Sequence, residues 1–362
     1  MADILRPDER FGLALRALYR SRGYLPYRMS KFEPYDLYAK NKSFLVSEHI
    51  LTFTDTDGRL MALKPDVTLS IVKNAPDAPG ALQKVYYHES VYRTSSAAMG
   101  YREIPQAGLE CIGTLDLASV AEVVSLAAES MALLGDNWLL DLGHMGLVSG
   151  LLEGLPGGRL RGELLAQLDR KNVPAIRELC AQAGAAHDLS EKLCFLAGLY
   201  GPPEEVLPRL ADLGGGAEAA LEELRSLCGL LAEQALAENL RLDFSIANGM
   251  GYYNGIVFRG YLPGLAGGVL SGGRYDNLLR RMGKAGGAVG FAVYLDQLER
   301  LEAEREADVD VLLLYGPGDP PAAVARRARE LAAEGRTVRT GRQAPQGLRF
   351  GELIRFGEGD GV

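Results

Sequence analysis

Three groups of residues in this 362-residue chain have the types and spacing for ligand chemistry. The most prominent lies between Leu242 and Asn277. Tyr252-Tyr253-Asn254-Gly255 sets an aromatic pair and a turn before the strand-like run Ile256-Val257-Phe258, and Ser271-Gly272-Gly273-Arg274-Tyr275-Asp276 sets a glycine pair before Arg-Tyr-Asp. Glycines let a backbone approach a ligand closely, and Arg, Tyr and Asp beside them hydrogen-bond it. The same stretch also reads as a hairpin with a Gly-rich loop between strands. A second group, Leu63-Lys64-Pro65-Asp66-Val67-Thr68, offers a carboxylate and a hydroxyl to a group that has only donors, such as an ammonium. Asp66 reads equally as the N-cap of a helix from Val67 to Asn74. The third group is Gln106 and Glu110, four apart and therefore on one face of a strand. They are also what two exposed polar residues on a sheet face would look like.

The elements that must position these groups are legible from periodicity. Phe11, Leu15, Leu18 and Tyr19 share one helical face, which predicts a helix over 8–22 ended by Gly23. Ile50–Phe53 and Arg59–Leu63 around Asp55-Thr56-Asp57-Gly58 predict a hairpin. Val85–Arg93 and Arg102–Gly113 predict two strands around a loop. Asp116 caps a predicted helix through Leu134, and Trp138–Asp141 reads as a strand. From Leu147 to about Leu240 the pattern is almost all helical: Arg161–Asp169, Pro174–Ala183, Ser190–Leu199, Glu204–Leu213 and Ala217–Glu238. In the tail, Val309–Tyr315 reads as a buried strand, Ala322–Ala333 as a helix and Thr337–Arg339 as a strand.

Composition narrows the class. Apolar residues make up 47% and charged residues 24%, as in ordinary globular domains, and the length suits two or three of them. No run of 18 apolar residues predicts a membrane span, and Met1–Arg10 lacks the apolar core of a secretory signal. The four cysteines, Cys111, Cys180, Cys194 and Cys228, are widely spaced, and with four histidines no metal-ligand spacing occurs. No metal or cofactor is expected, and reduced thiols point to the cytoplasm. A net charge of −8 does not advertise a nucleic-acid surface.

Beyond composition, the motifs resemble those of the histidyl-tRNA synthetase family, a class II synthetase fold. That family carries Leu-Val-Arg-Gly-Leu-Asp-Tyr-Tyr-Asn-Gly followed by Gly-Gly-Arg-Tyr-Asp. Here the first reads Ile246-Ala247-Asn248-Gly249-Met250-Gly251-Tyr252-Tyr253-Asn254-Gly255. Asp66 and Thr68 match the family's Leu-Arg-Pro-Glu-Gly-Thr, whose acid and threonine hold the amino group of histidine. Tyr101–Gly113 resembles motif 2, in which the residues matching Gln106 and Glu110 select the imidazole. Arg93 matches the motif 2 arginine that grips the α-phosphate. Gly286–Leu298 resembles motif 3, and residues 8–22 loosely resemble the motif 1 helix of the dimer interface. The resemblance covers about residues 8–303.

Three departures stand out. Asn248 replaces an arginine that serves adenylation, Gln297 replaces the motif 3 arginine, and residues 94–100 lack the family's charges. Active synthetases also carry a considerably larger anticodon-binding domain where this tail lies. The resemblance therefore implies no catalytic residues and an amino-acid pocket kept for another use. One branch of the family fits, the regulatory subunits of ATP phosphoribosyltransferase in histidine biosynthesis; the alternative is a divergent amino-acid-activating enzyme. The implied fold is α+β, a class II aminoacyl-tRNA synthetase-like antiparallel sheet flanked by helices. Residues 1–146 and 240–304 form its core, 147–239 a helical insertion, and 305–362 a short α/β remnant. The implied histidine site comprises Asp66, Thr68, Arg93, Gln106, Glu110, Asn248, Tyr252, Tyr253 and Tyr275. In it Asn248 and Arg93 serve the carboxylate. The implied partners are a short-form catalytic subunit and a second copy of the chain, as a homodimer within a hetero-octamer. Histidine is the implied effector, and neither tRNA nor a membrane is a partner.

Overall fold

The structure, a computed structural model, describes residues 5–45, 49–78, 80–94, 100–153, 155, 158–211, 213–214, 216–234, 237–246, 252–298 and 307–357. It divides into two compact units, Met1–Arg300 and Leu301–Val362.

The first unit opens with helix α1 (Pro7–Ser21) and strand β1 (Leu25–Pro26). β2 (Phe32–Pro34), α2 (Tyr35–Ala39) and the hairpin of β3 (Thr52–Thr54) and β4 (Leu60–Leu63) follow. The hairpin turn needs Gly58, whose φ is +85°. α3 (Thr68–Asn74) leads to the long hairpin of β5 (Leu82–Thr94) and β6 (Tyr101–Gly113). Then come α4 (Leu117–Leu134) and β7 (Leu139–His144). Asp116 caps α4, its carboxylate accepting from the Ser119 amide at 2.8 Å.

The stretch between β7 and the next long strands is helical, as its composition predicts. It holds α5 (Met145–Leu152), α6 (Arg159–Asp169), α7 (Val173–Gln182), α8 (His187–Gly198), the short β8 (Tyr200–Gly201), α9 (Pro203–Val206) and α10 (Glu218–Ala232). The single helix expected over 204–213 is broken into α9 and a 3-10 turn, Leu207–Leu210, around Pro208, which has no amide hydrogen to continue an α-helix. Apolar residues of α6, α7, α8 and α10 join the core under the sheet, so this stretch packs as part of the first unit.

β9 (Leu240–Asp243), β10 (Ile256–Tyr261), β11 (Leu270–Arg274), α11 (Asp276–Arg281), β12 (Gly287–Tyr294) and α12 (Leu295–Leu298) complete the unit. Among the described residues nine strands form one sheet, in the order β1-β5-β6-β12-β11-β10-β7-β9-β8. The expected antiparallel sheet is mixed at its margins, since β1 pairs with β5 and β7 with β9 in parallel.

Strand alternation divides the sheet into two faces. Leu109 and Cys111 of β6 and Val289, Phe291 and Val293 of β12 pack in one core with α1 and α4. Between these helices Tyr19 meets Ser130, hydroxyl to hydroxyl, at 3.1 Å. α4 is long and apolar enough by composition to cross a membrane, but 67% of it is buried in this core. Ile112 and Ala288 point to the other face, under α3 and α11. That second face carries the cavity described below.

In the second unit β13 (Val309–Leu314) lies between β14 (Val338–Gly341) and β15 (Phe350–Arg355), all parallel, with α13 (Pro321–Ala333) as the first crossover. β15 escapes sequence reading because it is a largely exposed edge strand with little apolar alternation.

Candidate functional site

Most of the polar groups singled out from sequence converge on one cavity of about 490 Å³ in the first unit. Its floor is the second face of β6, β12, β11 and β10. Glu110 stands on that floor, 2% exposed. It accepts a hydrogen bond from the Thr68 hydroxyl at 2.8 Å and another, very short, from the Tyr275 hydroxyl. Burial pushes its carboxyl up to about 8, against the lowering effect of both hydroxyls. Burial thus favours the neutral form of Glu110 well above the usual carboxylate range.

Gln106 lies four residues earlier on the same face, 3% exposed, and its Nε2 has no hydrogen-bond partner. A buried amide donor without an acceptor is costly, and a ligand acceptor would satisfy it. Val67 rather than Asp66 is the N-cap of α3, yet Asp66 still meets the N-terminus of that helix. Its Oδ1 accepts from the Leu69 amide at 2.8 Å, as a helix cap does, and it also lines the cavity. Burial raises its carboxyl above the usual range, with Arg93 opposing. Arg93 donates from Nε to the Pro65 carbonyl at 2.7 Å and holds Nη2 at 4.0 Å from Asp66.

The aromatic wall is Tyr252, Tyr253 and Tyr275. Tyr252 meets Tyr253 nearly edge-on, centroids 4.8 Å apart, and lies 5.3 Å from Tyr275. The glycine pair works differently from the loop expected. Gly272 and Gly273 lie within strand β11, and a Cβ on Gly273 would stand 2.7 Å from the Tyr253 ring. The missing side chain makes room for the wall rather than for a ligand. Of the Arg-Tyr-Asp group only Tyr275 lines the cavity. Arg274 bonds Glu223 of α10 at 3.3 Å and Asp276 at 2.9 Å, while Asp276 also accepts from the Ala288 amide at 3.0 Å. Those two are scaffold, because their partners are protein groups on neighbouring elements.

Asp66, Thr68, Arg93, Gln106, Glu110, Tyr252, Tyr253 and Tyr275 thus share one cavity. Asn248 and residues 95–99 of the motif 2 loop lie outside the described residues. Gln297, on α12, donates to its neighbour Asp296 at 3.4 Å and is not among the cavity's lining residues. Sequence reading missed Phe44, Tyr87, Arg259, Ser271 and Tyr294, which also line it. A parity signal was present for Ser271, which is four residues before Tyr275. Among the described residues no cluster of side chains suits a metal ion.

The histidyl-tRNA synthetase family model matches residues 6–298. An ATP phosphoribosyltransferase regulatory subunit of Symbiobacterium thermophilum is 33% identical over 302 residues, 80% of this chain and 75% of that protein. The chain belongs to the histidyl-tRNA synthetase family, in its branch of ATP phosphoribosyltransferase regulatory subunits. A regulatory subunit of Moorella thermoacetica is 32% identical over 356 residues, 93% of this chain and 90% of the relative. In fold, the chain is similar to a crystal structure described as an ATP phosphoribosyltransferase regulatory subunit/histidyl-tRNA synthetase from Bacillus halodurans, with TM-score 0.73, 23% identity, and 96% of this chain and 93% of that one covered. The core is the class II synthetase fold that the motifs imply.

Proposed function

We propose that the chain is a non-catalytic regulatory subunit of ATP phosphoribosyltransferase, serving the first step of histidine biosynthesis, with histidine as its effector. The observation that carries the effector reading is the meeting of Glu110, Gln106, Asp66 and the tyrosine wall in one cavity. A carboxyl oxygen of Glu110 accepts from an imidazole N–H, and the unpartnered Gln106 Nε2 donates to the other ring nitrogen. Asp66 faces the ammonium, with the oxygen lone pairs of Thr68 beside it. A flat ring suits an aromatic wall. A ligand without both ring nitrogens leaves buried polar groups unpaired, which is how such a site discriminates.

The non-catalytic reading is supported by Asn248 and Gln297, which stand where the synthetase pattern has arginines. Adenylate formation places charge on a triphosphate, and losing two cations there costs on the order of 10³-fold in rate. The branch to which the chain belongs supports a catalytic phosphoribosyltransferase as its partner. We assign it a short-form catalytic subunit, in a hetero-octamer built on a homodimer of this chain, since closed symmetric assembly is the physical default for such a scaffold. The setting is cytoplasmic, without tRNA. The test is reconstitution. Mixing the chain with a short-form catalytic subunit should give co-elution and a faster, histidine-sensitive transferase. No co-elution and no change in rate or inhibition rejects the regulatory reading.

A further inference from the structure

Taking the cavity as a histidine site, one question is which group holds the ligand's carboxylate. Two arginines line the cavity among the described residues, Arg93 and Arg259. Arg93 is already committed to the Pro65 carbonyl, at 2.7 Å, and lies beside Asp66. A carboxylate brought to Arg93 would also be brought to the Asp66 carboxyl, and like charges in one site oppose each other. Position 248 holds a neutral amide.

Arg259 occupies the opposite side of the floor. On β10 it pairs with Ser271 of β11, which pairs with Ala292 of β12, and two residues further Tyr294 pairs with Gln106 of β6. Cross-strand partners share a face, so this row runs over the floor from Gln106 to Arg259. The Ser271 and Tyr294 hydroxyls lie 2.8 Å apart within it and offer neutral donors. The stem of Arg259 is seated on a glycine: a Cβ at position 268 would stand 2.7 Å from its Cγ and 2.9 Å from its Cδ. On the same strand, the charge of Arg259 opposes the rise that burial imposes on the Tyr261 hydroxyl, so the two side chains are neighbours. Asp141, opposite Arg259 on β7, is raised to about 7 by burial and then by Asp243, so it offsets the arginine charge incompletely.

We infer that Arg259 is the carboxylate anchor of the cavity and sets its preference for an α-amino acid over the matching amine. A planar fork fixed at its stem suits bidentate capture of a carboxylate.

The experiment is calorimetry on the full chain with L-histidine and with histamine, which keeps the ring and the amine and lacks the carboxylate. Wild type should bind histidine roughly tenfold to a hundredfold more tightly than histamine, as a charged hydrogen-bonded pair provides. Arg259→Gln should bring the two ligands to within about twofold by weakening histidine alone. Arg259→Met, which keeps an apolar stem over Gly268, should do the same and serves if the glutamine variant melts early. Arg259→Lys, which restores the charge, should recover part of the preference. A preference unchanged in Arg259→Gln or Arg259→Met, or one lost in Arg93→Gln instead, overturns the assignment and leaves the histidine site standing. Wild type that binds neither ligand overturns the histidine reading itself and this assignment with it.

Discussion

Glu110 of β6 and Gly290 of β12 face each other in register, and a Cβ at position 290 would overlap the Glu110 carboxylate. The missing side chain lets a buried carboxyl lie flat on the sheet, within reach of both Thr68 and Tyr275. Gly290→Ala should therefore displace the carboxylate and break that arrangement. Overpacking of this kind costs about 1–3 kcal/mol. Urea denaturation should record that loss together with loss of the histidine-induced thermal shift. A variant as stable as wild type that still responds to histidine would contradict this role for Gly290.

The raised carboxyl of Glu110 has a signed consequence for pH. Its ordinary value is 4.5 and its folded value about 8, so between them the folded chain keeps a proton that the unfolded chain has released. Its contribution to stability is fully present below about 4.5 and is lost as pH rises through about 8. Stability of Glu110→Gln relative to wild type should then rise with pH across this window. Denaturation at several pH values checks it, and a constant difference would show that Glu110 does not titrate there.

Histidine should raise the melting temperature, while lysine and phenylalanine should not. A ligand at a hundredfold excess over its dissociation constant stabilises the folded state by about 2.7 kcal/mol. Glu110→Gln and Gln106→Leu should each abolish the rise, since each removes one half of the imidazole contact. Thermal-shift assays with millimolar histidine decide the matter. No shift and no calorimetric heat, alone or in the complex with the catalytic subunit, would mean that feedback is read elsewhere.

The purified chain should show no histidine-dependent exchange of pyrophosphate into ATP. Gln297 is neutral and bonded to its neighbour Asp296, and Asn248 brings no charge either. Exchange above a blank would restore the amino-acid-activating reading.

Much of the site was legible in the sequence because strand parity is local. Gln106 and Glu110 had to share a face once their strand was recognised, and the tyrosine pair marked the wall. The family motifs supplied the rest of the set. Long-range pairing decided what local pattern could not. Thr68 and Tyr275 meet at Glu110 only because α3 and the end of β11 are packed over β6. Arg274 and Tyr275 are neighbours in sequence, yet the fold sends one to Glu223 and the other into the cavity. Gly272 and Gly273 look like a loop, and sheet closure between β10 and β12 made them a strand. Arg259 gave no local sign of its role. Its position opposite Ser271, and the bare glycine under its stem, exist only once three strands are in register. Residue type and spacing determined which groups were available; the partner of each depended on contacts between strands distant in sequence, which no window of residues contains.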